Sequence, residues 1–194
     1  MSLFDYPVML FKMFLPKKET VVKFQQVGWT ITIPKKFDIM SEGEMARMGK
    51  RFRKNIRSKI EKEVKLHLVE KQFWASYEIE NKFGCNITSM NEVPETEWKN
   101  KNNDLCNTML AYYRACYKDF AHISITTEQD FRQKGDIIFD TFDIIAAIPE
   151  RQVHRTRYYR TVYKNYGIVI TMSFANEKIG EEMLNMLRTS TFSD

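Results

Sequence analysis

The side chains able to ligate metals or move protons are few in this chain and widely spread. The three histidines (His67, His122, His154) stand far apart, and the three cysteines (Cys85, Cys106, Cys116) form no C-x-x-C pair. Only the fold can bring a histidine beside Cys85 or Asp140. Asp136, Asp140 and Asp143 suggest an acidic cluster by type, yet on a strand Asp136 and Asp140 share one face while Asp143 takes the other. Solvated acids near a turn, buried thiols and polar strand histidines are the plainer readings. Walker, Rossmann, zincin and nucleophile-elbow motifs are all missing, and seven scattered glycines supply no phosphate-cradling loop. No catalytic residue, metal ligand or cofactor is assigned. An enzyme here would need a site assembled only by the fold.

Cations are the sharper signal. Residues 47–62 hold eight bases (Arg47, Lys50, Arg51, Arg53, Lys54, Arg57, Lys59, Lys62) and one acid, Glu61. That net of +7 leaves −2 for the rest of a chain whose total is +5. A helix presenting Arg47, Lys50, Arg51, Lys54 and Arg57 can contact phosphates, or lie on anionic lipid with Met48 and Phe52 inserted. A solvated face above an apolar stripe is the simpler alternative. The run 151–160 is the second candidate. Strand alternation puts Arg155, Arg157 and Tyr159 on one face and His154, Tyr158 and Arg160 on the other. An arginine–aromatic face can stack bases or anchor a protein partner, and tyrosines covered by a helix give the alternative.

Composition sets the frame for these residues. At 194 residues, with 43% hydrophobic and 13% aromatic side chains, the chain can bury a full core as one domain. An odd, sparse set of cysteines fits a reducing compartment. The apolar start at 1–16 has no basic n-region and is broken by Asp5 and Lys12, so it reads as no secretion signal. No run reaches the about 20 apolar residues of a membrane span. A cytoplasmic location is expected. Phe4–Leu15 carries too many apolar residues to stay exposed, so residues 1–21 should dock on the body at 22–194 or pair with another copy as a homodimer.

The periodicity predicts the elements. Gly28-Trp-Thr-Ile-Thr-Ile-Pro34 is a strand that Pro34 ends. Ser41-Glu-Gly-Glu44 is a capping box opening a helix over 44–62, whose stripe is Met45, Met48, Phe52, Ile56 and Ile60. Alternation from Leu66 to Ile79, a turn near Asn81-Lys82 and the run 85–90 form a hairpin. A second helix begins after Pro94 or near Asp104. A meander follows, with strands at 122–130, 136–147, 152–163 and 167–174 and a turn at Lys164-Asn-Tyr-Gly167. Asn176 caps a last helix buried through Ile179, Met183, Met186 and Leu187, and Ser190-Thr-Phe192 closes the chain. This order predicts α+β, an α-β-α sandwich with an antiparallel sheet flanked by helices.

The layout resembles the PsbP-like superfamily, which includes the photosystem II extrinsic PsbP protein, a Ran-binding nuclear import factor and small bacterial proteins and lipoproteins. The resemblance lies in Trp29-Thr-Ile-Thr-Ile-Pro-Lys-Lys-Phe37 and in Asn86-Ile-Thr-Ser-Met-Asn-Glu-Val-Pro94 before a long helix. It lies also in the closing block Tyr158-Tyr159…Tyr163…Gly167-Ile-Val-Ile-Thr-Met, helix, Ser190-Thr-Phe192. It spans roughly residues 22–193 and carries no catalytic motif. What it implies is a non-catalytic binding or accessory module acting on a protein partner. The alternative is binding of nucleic acid or an anionic membrane surface through the basic helix. An unusually basic helix and the lack of a lipoprotein cysteine near the start depart from the family pattern.

Overall fold

The computed structural model describes residues 18–60, 71–78, 80–91, 93–117, 122–126, 129–133, 137–147 and 153–193. The N-terminal segment expected to dock, the end of the predicted helix at 61–62, the opening of the hairpin at 66–70, His67 and Asp136 lie outside them. Among the described residues the strands form two antiparallel sheets. The small sheet runs β1 (Thr20–Phe24), β2 (Trp29–Ile33), β11 (Thr191–Phe192). The large sheet begins β3 (Asp38–Ile39), β4 (Lys71–Tyr77), β5 (Asn81–Ser89), β10 (Tyr166–Phe174), β9 (His154–Tyr163), β8 (Ile137–Ala147). Two short strands in succession, β6 (His122–Thr126) and β7 (Gln129–Gln133), share the far edge of β8.

Among the described residues three α-helices complete the fold: α1 (Glu42–Ile60), α2 (Glu95–Tyr117) and α3 (Glu177–Thr189). The predicted capping box forms at the start of α1. Ser41 N donates to Glu44 Oε2 at 2.8 Å, and Glu44 N donates to Ser41 Oγ at 3.4 Å. Asn176 caps α3 by accepting from Lys178 N at 2.9 Å. Helix α2 begins directly after Pro94, so Asn100, Asn102 and Asn103 fall inside it despite their poor intrinsic preference. Asn102 offsets part of that by donating from Nδ2 to Trp98 O at 2.8 Å.

Two cores result, one on each side of the large sheet. The first joins the small sheet, α3 and one sheet face through Trp29, Ile31, Phe83, Ile87, Ile168, Ile170, Met183 and Leu187. Trp29 is fully buried and stacks on Phe24 at 5.0 Å and Phe192 at 5.6 Å, while its Nε1 donates to Ser190 Oγ at 2.7 Å. The two ends of the described chain are thereby locked together. Burying an indole removes about 150–250 Å² from water, a leading contribution at about 25 cal/mol per Å². The second core lies under α1 and α2, with Ile56, Cys106, Met109, Phe142, Ile144 and Tyr158 buried and Phe52 and Ile60 packed against them. Trp98 of α2 lies on Gly167 of β10, where a Cβ would collide with the indole, so glycine is what lets α2 approach the sheet.

The expected sandwich is therefore present, with additions. Strand β1 and the separate small sheet were not predicted. The expected strand 122–130 is present as β6 and the start of β7, which pair with β8 in one continuous register, from His122 opposite Ala147 to Gln129 opposite Asp140.

Candidate functional site

Helix α1 is held by a narrow stripe. Ile56 is its one fully buried side chain, and Met45, Met48, Phe52 and Ile60 are half-buried along the same side. At about 100° per residue, Arg47, Lys50, Arg51, Lys54 and Arg57 fall within about 120° of arc directly opposite. All five are exposed, and so are Arg53 at the edge of the stripe and Lys59 within its arc. From Met45 to Ile60 the helix carries these seven bases and no acid. None of the seven makes an ion pair or a side-chain hydrogen bond among the described residues. Glu44, one of the two acids in the first turn, is engaged by the Ser41 cap.

The neighbouring helix is built differently. On α2, Lys99 pairs with Glu95 at 2.7 Å and Lys101 pairs with Glu97, both one turn away. The Glu95 hydrogen bond, with smaller help from the Glu95 and Asp140 charges, holds the Lys99 ammonium above its ordinary pKa.

The second candidate cluster is placed as alternation required, with Arg155, Arg157 and Tyr159 on the α3 side of β9, yet it is not a free surface. Arg157 stands directly across from Asp143 and grips it with two bonds, Nε to Oδ1 and Nη2 to Oδ2, each 2.6 Å. Its Nη1 also donates to Tyr159 Oη at 3.3 Å. Asp143 is 3% exposed and Tyr159 is 1% exposed, so the pair is internal and the phenol belongs to the core. The Asp143 bond raises the Arg157 pKa further above its ordinary value despite burial. Arg155 meets Glu177 of α3 at 3.5 Å. On the opposite face, Arg160 donates to Asn103 of α2 at 2.6 Å. The reason is the strand's place in the fold: the cross-strand neighbour Asp143 takes Arg157, and the helices packed on the two faces take Arg155 and Arg160.

His154 is not isolated. Its Nε2 lies 3.3 Å from Ser173 Oγ, which is 3.1 Å from Thr156 Oγ1, which in turn is 3.3 Å from Tyr113 Oη of α2. Burial lowers the His154 pKa, against smaller raising effects of the Glu80 backbone and carboxylate, and Lys82 lowers it too. Sequence reading missed this chain of hydroxyls because Ser173 and Thr156 come together only through the β9–β10 register. Its two-residue turn at Lys164 and Asn165, both at positive φ, was the available clue.

Among the described residues the remaining candidates assemble no such cluster. Cys85 and Cys106 are buried, and burial pushes both thiols up, Cys106 to about 11. Asp140 is exposed on the side of the sheet opposite buried Asp143. Among the described residues no three histidines, cysteines or carboxylates gather as a metal site. No helix there is long and apolar enough to cross a membrane.

The sandwich with its closing helix and short strand defines a PsbP-like fold. The chain is similar to the solution structure of cyanobacterial PsbP (CyanoP) from Synechocystis sp. PCC 6803. The two agree with a TM-score of 0.52 over 93% of this chain and 95% of that one, at 8% sequence identity. The likeness is therefore one of fold. No protein family and no curated protein matches the chain by sequence.

Proposed function

We propose that this PsbP-like chain is a binding module of an accessory kind, acting by contact rather than by catalysis. Its contact surface is the cationic side of α1, and its partner presents a matching negative surface. One observation carries the reading. Among the described residues the seven exposed bases on α1 have no counter-charge, whereas Lys99, Lys101, Arg155 and Arg157 all have one. Cations three and four residues apart on one helix repel by about 0.2–0.5 kcal/mol per pair, and nothing in the packing of α1 calls for them. An anionic partner removes that repulsion.

The test is a pull-down from source-cell lysate, with and without nuclease. Wild type is compared with a variant carrying Arg47, Lys50, Arg51, Lys54 and Arg57 changed to Glu. A control carries Lys99→Glu and Lys101→Glu on α2. Capture by wild type and the control but not by the α1 variant is the expected result. A partner that survives reversal of α1 would move the contact surface elsewhere.

A further inference from the structure

The composition of the α1 surface says which kind of anion it suits. We infer that the cationic side of α1 is a docking site for the phosphate backbone of double-helical nucleic acid. This rests on the reading of α1 as the contact surface and narrows its partner. Four observations converge on it.

The first is what the surface lacks. The arc opposite the stripe holds Gly43, Arg47, Lys50, Arg51, Lys54, Arg57 and Ser58, with no aromatic or aliphatic anchor. Specific protein interfaces draw their affinity from buried aromatic and apolar anchors ringed by polar groups. A phosphate backbone asks only for positive charge at the right spacing.

The second concerns lipid. An interfacial helix binds a bilayer by inserting its apolar side. On α1 that side is occupied, since Ile56 is buried and Phe52 and Ile60 pack into the core shared with α2. Phe52 is thus unavailable for the insertion that the sequence alone permits, and Met48 is half-buried beside it.

The third separates double from single strands. Single-strand binders stack successive bases on exposed aromatic rings. Phe52, the one aromatic residue of α1, faces the core.

The fourth is scale. At 1.5 Å rise per residue, Arg47 to Arg51 and Lys50 to Lys54 are each about 6 Å apart along the axis, and Arg47 to Arg57 span about 15 Å. A duplex carries one phosphate per about 1.7 Å of its axis, so about nine phosphates lie within that span. A helix of about 10–12 Å diameter also matches the major groove of B-form DNA, about 12 Å wide.

Fluorescence anisotropy with labelled 20-base-pair DNA and RNA duplexes of mixed sequence tests the inference, titrated from 50 to 300 mM KCl. With five phosphate contacts, log Kobs should fall with log salt at a slope of about −4 to −5. Lys54→Ala should reduce the slope by about one and weaken binding alike on every duplex sequence. The five-residue Glu variant should show no binding while keeping its circular-dichroism melt, and the α2 control should bind as wild type does. Preference for one duplex over the other identifies which double helix is the natural ligand.

Absence of duplex binding at 50 mM KCl overturns the inference, as does a salt slope near zero. So does equal or tighter binding of the single strand, of polyglutamate, or of vesicles with 30% phosphatidylserine. If duplex binding fails while α1-dependent capture of an acidic protein persists, only the duplex assignment falls. If charge reversal on α1 changes nothing in either experiment, the reading of α1 falls with it.

Discussion

Two rows of cations in this chain look alike as sequence and behave differently as structure. On α1, Arg47, Lys50, Arg51, Lys54 and Arg57 project from a helix whose other side alone is packed. On β9, Arg155, Arg157 and Arg160 project from a strand with neighbours on both edges and layers on both faces. A helix surface offers its side chains few partners except those one turn away, and from Met45 to Ile60 α1 supplies no acid. A central strand places each side chain within about 5 Å of one on the next strand. Charge density alone therefore does not mark a binding surface. The element type decides whether a cation is available.

The largest effect should come from breaking the β9 side of this comparison. Asp143→Ala leaves Arg157 facing a buried, unpaired position, which costs about 3–5 kcal/mol. Because the Arg157 side chain is 19% exposed, the lower end is expected, a fall in Tm of about 6–12 °C by calorimetry. Replacing both partners by apolar residues, Asp143→Leu with Arg157→Met, should recover most of the loss. If Asp143→Ala melts with wild type, the pair is no more internal than the α1 cations, and the contrast fails.

A smaller effect sharpens it through pH. Burial lowers the His154 pKa, so the folded chain prefers the neutral ring. The unfolded chain binds the proton more readily, near the ordinary value of about 6.5. Stability from this group is therefore complete above about 6.5 and is lost as pH falls below it toward the lowered folded value. Glu80, Lys82 and Tyr113 surround the ring. His154→Gln keeps an acceptor for Ser173 and should flatten the change in Tm between pH 7 and pH 5.5. Helix α1 holds no histidine, so duplex binding by α1 should stay level over the same interval. An unchanged pH profile in the His154 variant would count against burial of the ring.

What the sequence made legible follows the same physical division. Helix α1, its capping box and its cationic side depend on spacings of three and four residues, all of them local. The closing strand, helix and short strand were likewise readable from alternation, from Asn176 and from the apolar positions of α3. Strand β1 was missed because Thr20–Phe24 is short, with Lys23 and a half-exposed Val21, and gains its place only by pairing with β2. The Asp143–Arg157 pair and the His154–Ser173–Thr156–Tyr113 chain were missed for a stronger reason. Each depends on which residue of one strand faces which of the next. A slip of one position would send every one of those side chains to the other face.

The smallest effect tests the α1 side most directly. Lys50 has Arg47 three residues before it and Arg53 and Lys54 three and four residues after it, all exposed. Lys50→Glu converts these like-charge neighbours into attractive ones, and a Glu placed four residues before a Lys is the favoured order. At a few tenths of a kcal/mol per pair, the helix should gain about 0.5 kcal/mol, a rise in Tm of about 1–2 °C. Duplex affinity should fall at the same time. A residue whose replacement stabilises the fold while weakening binding is held there by its partner and not by packing. A drop in Tm beyond about 4 °C would mean instead that Lys50 is engaged within the fold, as Arg157 is, and the two rows of cations would no longer differ in kind.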